Sequence, residues 1–143
     1  MISIITCRKR LALLWFAGGF VIFILLVVQS TFGKFGDEAG EVWSWFLPTI
    51  MPTLSLIVGV LVVDLTSAQD PKKKVDRFIF RLAFSLSLVY LLLVLSTLMV
   101  QPLTRFAPTE MLKRSNLWLG PIQGLVAAAL GAFFVKSERA RQR

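Results

Sequence analysis

The chain contains no histidine and a single cysteine, Cys7. Without histidine, the commonest general base and the commonest metal ligand are both missing. Cys/His zinc sites and histidine-activated nucleophiles go with it. A lone cysteine also excludes an intramolecular disulfide. Acids are scarce, with eight Asp and Glu against sixteen Lys and Arg, and no two carboxylates fall together at membrane depth. A phosphate-cradling loop is missing as well. Gly33, Gly36 and Gly40 lack the Walker spacing and its closing Lys-Ser/Thr, so they read as flexible linkage. The expectation is a protein that is not an enzyme, with no metal and no cofactor.

What is present is apolar. Hydrophobic residues make up 56% of 143 residues, and the mean hydropathy is +0.74. That share exceeds the usage of soluble globular domains, and one domain of this length could not hide it from water. Most of the apolar surface is therefore expected to face lipid. The net charge of +8 does not point to nucleic acid, because the basic residues sit beside apolar runs rather than on a common binding face. No nucleic-acid partner is expected.

Four apolar runs are long enough to cross a bilayer. The first, residues 11–29, follows Arg8, Lys9 and Arg10, and its nineteen residues reach about 28 Å as a helix. A signal peptide would have a shorter apolar part and a small-x-small cleavage site, so this run reads as a retained span. Residues 30–47 form the first loop, where Asp37 would cap a short interfacial helix and Trp43 and Trp45 would anchor it in the aromatic belt. The second run, about 46–66, holds Pro48 and Pro52 and ends near Asp64. The third, 78–100, is expected to extend outward into the cytoplasm, with Asp70 as N-cap and Pro71 in the first turn. Pro108 would open a short surface helix before the fourth run, 117–135. The fold class is thus all-α: a single polytopic domain over residues 1–143 with four transmembrane helices, the second kinked by its prolines.

Twelve of the sixteen basic residues fall on one side of this layout: Arg8, Lys9, Arg10; Lys72, Lys73, Lys74, Arg77, Arg81; and Lys136, Arg139, Arg141, Arg143. Four fall on the other: Lys34, Arg105, Lys113 and Arg114. The positive-inside rule then puts both termini in the cytoplasm. A bacterial inner membrane is the expected location.

Between helices in lipid, close packing and hydrogen bonds replace apolar burial, so small and polar residues mark candidate contact faces. On the second span Pro52, Ser55 and Gly59 share a stripe with Pro48; Thr49 or Thr53 would satisfy a carbonyl freed by proline. On the fourth span Gly120, Gly124, Ala127 and Gly131 repeat at spacings of four and three, with Gln123 alongside. The third span carries the most polar seam, Ala83, Ser87, Tyr90, Val94, Thr97 and Gln101. It would supply interhelical hydrogen bonds or line a narrow hydrated path. Asp64 is expected to pair with Arg81 or Arg77, because a lone acid near a helix C-terminus is doubly unfavourable. Lys72, Lys73, Lys74 and Arg77 form a basic patch for anionic lipid or a protein partner. Cys7 adjoins a basic cluster, a setting that permits palmitoylation, although a plain reduced thiol is the simpler reading.

Three packing faces without reactive chemistry suggest a non-catalytic assembly or interaction subunit. Its partners would be membrane lipids and either copies of itself, in a homo-oligomer, or another membrane or cytoplasmic protein. A pore-forming or membrane-permeabilising oligomer is the first alternative; the likeness to holins is in size and charge only. A small transporter is the second.

Overall fold

The computed structural model describes residues 2–66, 74–103 and 106–139, with the backbone alone at 2, 63–66, 74–75 and 135–139. Four helices carry the chain: α1 (Ile4–Thr31), α2 (Ala39–Thr66), α3 (Arg77–Val100) and α4 (Pro108–Arg139). All four are long and apolar enough to cross a membrane. The architecture is an all-α four-helix bundle, consistent with a polytopic membrane protein. Two short extended segments, β1 (Ile2–Ser3) and β2 (Lys74–Val75), pair antiparallel at one end.

Each helix buries a narrow stripe and exposes the rest. In α1 the buried residues are Ile4, Cys7, Leu11, Ala12, Trp15, Gly19, Ile22, Leu26 and Gln29, most of them close to a 3.5-residue period. In α3 they are Phe80, Ala83, Ser87, Tyr90, Leu91, Val94, Thr97 and Leu98, and Gln101 continues the stripe in the 3-10 turn that follows. The outward faces stay strongly apolar, with Leu13 at 70% exposure and Leu117 at 77%. Such surface is far larger than the apolar patches of soluble monomers, and lipid accounts for it. Extensive contacts join α3 to α4 and to α1, and α2 in turn leans on α4 and α1. The bundle therefore closes as a ring in the order α1, α2, α4, α3.

Local chemistry sets the helix ends. Gly33 has φ of 67°, and the N–H groups of Gly33 and Lys34 return to the carbonyls of Ser30 and Gln29. This is a Schellman closure, which needs a left-handed residue that glycine provides without steric cost. The stretch expected as flexible linkage is thus partly a helix cap. The interfacial helix expected in residues 37–47 is not separate. A 3-10 turn at Gly36–Glu38 leads directly into α2, which runs on through Pro48 and Pro52. Likewise, the surface helix opened by Pro108 and the fourth span are one helix, with Pro108 in the first turn where its missing N–H costs nothing.

The third helix corrects an expectation. It starts at Arg77 rather than Pro71 and does not extend outward through the lysines. Asp76 has extended backbone, and its carboxylate accepts from Phe78 N–H at 2.9 Å, so it takes the capping role expected of Asp70. Immediately before it, Lys74 and Val75 are held extended by pairing with the N-terminus. Asp70, Pro71, Lys72 and Lys73 lie outside the described residues.

Candidate functional site

Two prolines of this chain, Pro52 and Pro102, open backbone acceptors that side chains from neighbouring helices answer. Pro52 has no N–H, so the carbonyl of Pro48 loses its intrahelical donor. Gln123 Nε2, on α4, donates to that oxygen at 3.4 Å. Pro102 does the same to the carbonyl of Leu98 at the end of α3, and Gln29 Nε2, on α1, donates there at 3.5 Å. Both contacts are long. Each nonetheless places a glutamine amide, costly in an apolar helix, beside a proline-freed carbonyl of another helix.

Around the first of these points three helices share polar contacts. Tyr90 OH, on α3, donates to the carbonyl of Thr49 at 2.9 Å. Thr49 Oγ1 in turn donates to the carbonyl of Trp45 at 2.6 Å. Trp45 Nε1 donates to Asn116 Oδ1, on α4, at 3.0 Å. Tyr90 is fully buried and stacks at a tilt against Trp15 of α1, with ring centroids 5.9 Å apart. Tyr90 thus touches α1 with its ring and α2 with its hydroxyl. Beside it the buried hydroxyl of Ser87 and the indole N–H of Trp15 have no hydrogen-bond partner. Tyr90→Phe should destabilise the folded state by about 0.6–1.7 kcal/mol, the range for hydrogen bonds between membrane helices. Chemical denaturation in mixed micelles measures it, and no loss at all would remove the bridge from the account.

The two ends of the bundle differ in charge. At one end Arg8, Lys9, Arg10, Arg77 and Arg81 gather, brought together by the β1–β2 pairing. Arg8 is half-buried there, with its guanidinium 5.9 Å from the Phe134 ring centre, a cation–π distance. At the other end acids and bases match. Glu41 pairs with Lys113 at 3.3 Å and Glu110 with Arg114 at 2.7 Å. Glu38 accepts from the backbone N–H of Thr109 at 3.2 Å, tying the start of α2 to the positive end of α4. The exposed pairs contribute little to stability, but they neutralise that end locally.

The expected site residues separate into groups. Ser87, Tyr90, Thr97 and Gln101 are all buried, and so are Ala83 and Val94 of the same seam. By contrast, Pro52, Ser55 and Gly59 are exposed, as are Gly120, Gly124 and Ala127, while Gly131 is half-buried. A Cβ built on Gly59, Gly120, Gly124 or Gly131 meets nothing within 4 Å. Packing within the chain therefore does not use these stripes. Larger side chains fill the inward faces instead: Trp45, Ile50 and Ile57 on α2, and Leu119, Leu130 and Phe133 on α4. Arg77 and Arg81 are exposed. The Asp64 side chain is outside the described residues, and with it the Asp64–Arg81 pairing; of the basic patch, Lys74 has only its backbone described.

Trp15 lies only five residues beyond Arg10, where an interfacial anchor is also expected, so its packing role is visible only in the structure. Gln29 pairs with Pro102 only through the fold. Of the two tryptophans expected in the aromatic belt, Trp45 is buried, and Trp43 is half-buried and edge-on to the exposed Phe23 at 5.6 Å. Among the described residues no three His, Cys, Asp or Glu side chains converge. Comparison with known protein families, characterised proteins and solved structures finds no match for the chain.

Proposed function

We propose that the protein is a non-catalytic membrane subunit that assembles with copies of itself or within a larger membrane complex. The carrying observation is the outward stripe of α4. Gly120 and Gly124 face away from the bundle with open space over them, and Ala127 continues the row. Small residues at this spacing let a second helix approach closely, and the chain's own packing leaves the stripe without a task. Pro52, Ser55 and Gly59 give α2 a comparable outward row, and a bend at the proline pair would tilt it.

The charge distribution supports an orientation for this subunit. The basic end, with both termini, lies on the cytoplasmic side, and the neutralised Glu38–Arg114 end lies outside. Each basic residue near the surface adds on the order of 1 kcal/mol of attraction to anionic lipid. The pore reading has weaker support. In the polar seam of α3, Tyr90 is engaged with Trp15 and Thr49, and Thr97 bonds back to the Leu93 carbonyl of its own helix, which favours a structural role for these two residues.

Native mass measurement of the full chain, extracted in mild detergent with its neighbours, tests the assembly reading. Oligomers or a stoichiometric partner are expected. A monomer without partners, both in detergent and after cross-linking in the membrane, would sink it. A thiol tag at either terminus should react only after the membrane is permeabilised.

A further inference from the structure

Helices α1 and α3 run side by side in the same direction, with Gly18 beside Leu91 and Gln29 beside Leu98. On their outer side they leave an open groove of about 500 Å³. Its floor is set by a close approach: a Cβ on Gly18 would lie 2.8 Å from Leu91 Cδ1. Ala17 and Gly18 are small, so the walls are made by larger residues on either side, such as Leu14, Val21, Leu88 and Leu92. The lining is apolar with one exception. Arg10 closes the groove at the basic end of the bundle, and its side chain is exposed.

Length and charge together define what fits. From Arg10 to Ile22 the groove follows thirteen residues of α1, or about 18 Å of helix. That is about one leaflet, since the hydrocarbon core is about 30 Å thick. A partner helix would need an apolar face of the full thickness and would gain nothing from an arginine at one end. An acyl chain beginning at the interface and ending near the midplane matches both features. Arg81, one turn before the groove residue Phe84 on α3, is exposed and adds a second positive charge at the same end of the bundle.

We propose that this groove holds one acyl chain of an anionic glycerophospholipid from the leaflet at the basic end, with its phosphate against Arg10. The guanidinium supplies paired donors to phosphate oxygens. The groove supplies a lipid position better defined than the general annulus, because Ala17 and Gly18 let the chain sit below the ridge of neighbouring leucines.

The test uses the full chain in mixed micelles containing phosphatidylglycerol or phosphatidylcholine of identical chains, read by native mass spectrometry during stepwise removal of lipid. One phosphatidylglycerol should be retained per chain, and preferentially over phosphatidylcholine. Arg10→Gln should weaken that retention about fivefold, in line with the attraction of one surface cation. Ala17→Phe should fill the groove and abolish retention of both lipids. If Ala17→Phe fails to fold, Arg10→Gln decides alone, since its side chain is exposed and leaves the core intact. Equal retention of phosphatidylglycerol by wild type and Arg10→Gln would overturn the proposal. A dimer that is lost in Ala17→Phe, with no lipid bound to the wild type, would overturn it too and give the groove to a second copy. Lipid retention itself is independent of the α4 stripe, which is on a different helix, whereas a groove-mediated dimer would keep the assembly reading and move its face from α4 to the α1–α3 groove.

Discussion

Replacing Trp15 with Ala should destabilise the bundle by up to about 3 kcal/mol, the low end of the range for truncating a buried Trp in a soluble core and the largest single-site loss expected in this chain. The indole is fully buried and leans on Tyr90 at 5.9 Å. In lipid the transfer term that penalises such a truncation in water is weak, because the unfolded helices also lie among hydrocarbon. The cost therefore comes from the cavity and from lost dispersion contacts in a densely packed centre. Tyr90 feels it as well, since its ring would lose the surface that steadies the hydroxyl toward Thr49. Trp15→Phe should cost much less than Ala. It keeps most of the ring volume and removes an indole N–H that has no partner, whose burial itself carries a penalty. Trp118→Ala is the control, because that side chain is 44% exposed on the outer face of α4. Denaturation in mixed micelles followed by circular dichroism would rank the three. Equal midpoints for Trp15→Ala and Trp118→Ala would mean that the centre of the bundle is not where Trp15 places it.

The same comparison shows which parts of this fold are written plainly in the residues. Four helices follow from length and hydropathy alone, because an apolar run of this length has few other fates. The α3 seam is legible because Ala83, Ser87, Tyr90, Val94, Thr97 and Gln101 alternate at four and three residues, and a stripe with that period that gathers most of the polar groups of the span has to turn inward. The inward faces of α2 and α4 were not legible by the same rule. Small residues mark a face that permits close approach, but they do not say whether the partner helix belongs to the same chain. In this bundle bulky Leu119, Leu130 and Phe133 fill the inside, and the glycines are left outward. Proline chemistry was half legible. That Pro52 frees an acceptor is a property of one residue, whereas the choice of Gln123 to meet it depends on how α2 and α4 align. Gln29 and Pro102, 73 positions apart in the sequence, show the same limit. The start of α3 was misplaced for a related reason. Asp70-Pro71 and Asp76 are both sound helix openings, and the strand-like pairing of Lys74 and Val75 with Ile2 and Ser3 selects the second.

The outward glycines carry the other large expected effect. Gly120→Leu combined with Gly124→Leu should leave the single-chain bundle intact while weakening its association on the order of tenfold or more, a loss of about 1.4 kcal/mol or greater. Nothing lies within 4 Å of a Cβ at either position, so the monomer has room for both side chains. Replacing glycine by a strong helix former even favours the helix, by up to about 1 kcal/mol per site. A second helix packed over the stripe has no such room. Close approach depends on hydrogen in place of a side chain, and two leucines would hold the backbones apart. The contrast with Gly18 sharpens the reading, because there a Cβ would lie 2.8 Å from Leu91. Gly18→Leu should therefore require the Leu91 side chain to move aside within the bundle, whereas the α4 pair should damage only what the bundle assembles with. Concentration-dependent energy transfer between labelled copies in liposomes separates association from folding. If the double variant associates as tightly as the wild type and folds as well, the α4 stripe is simply a lipid-facing surface, and another face must carry the assembly.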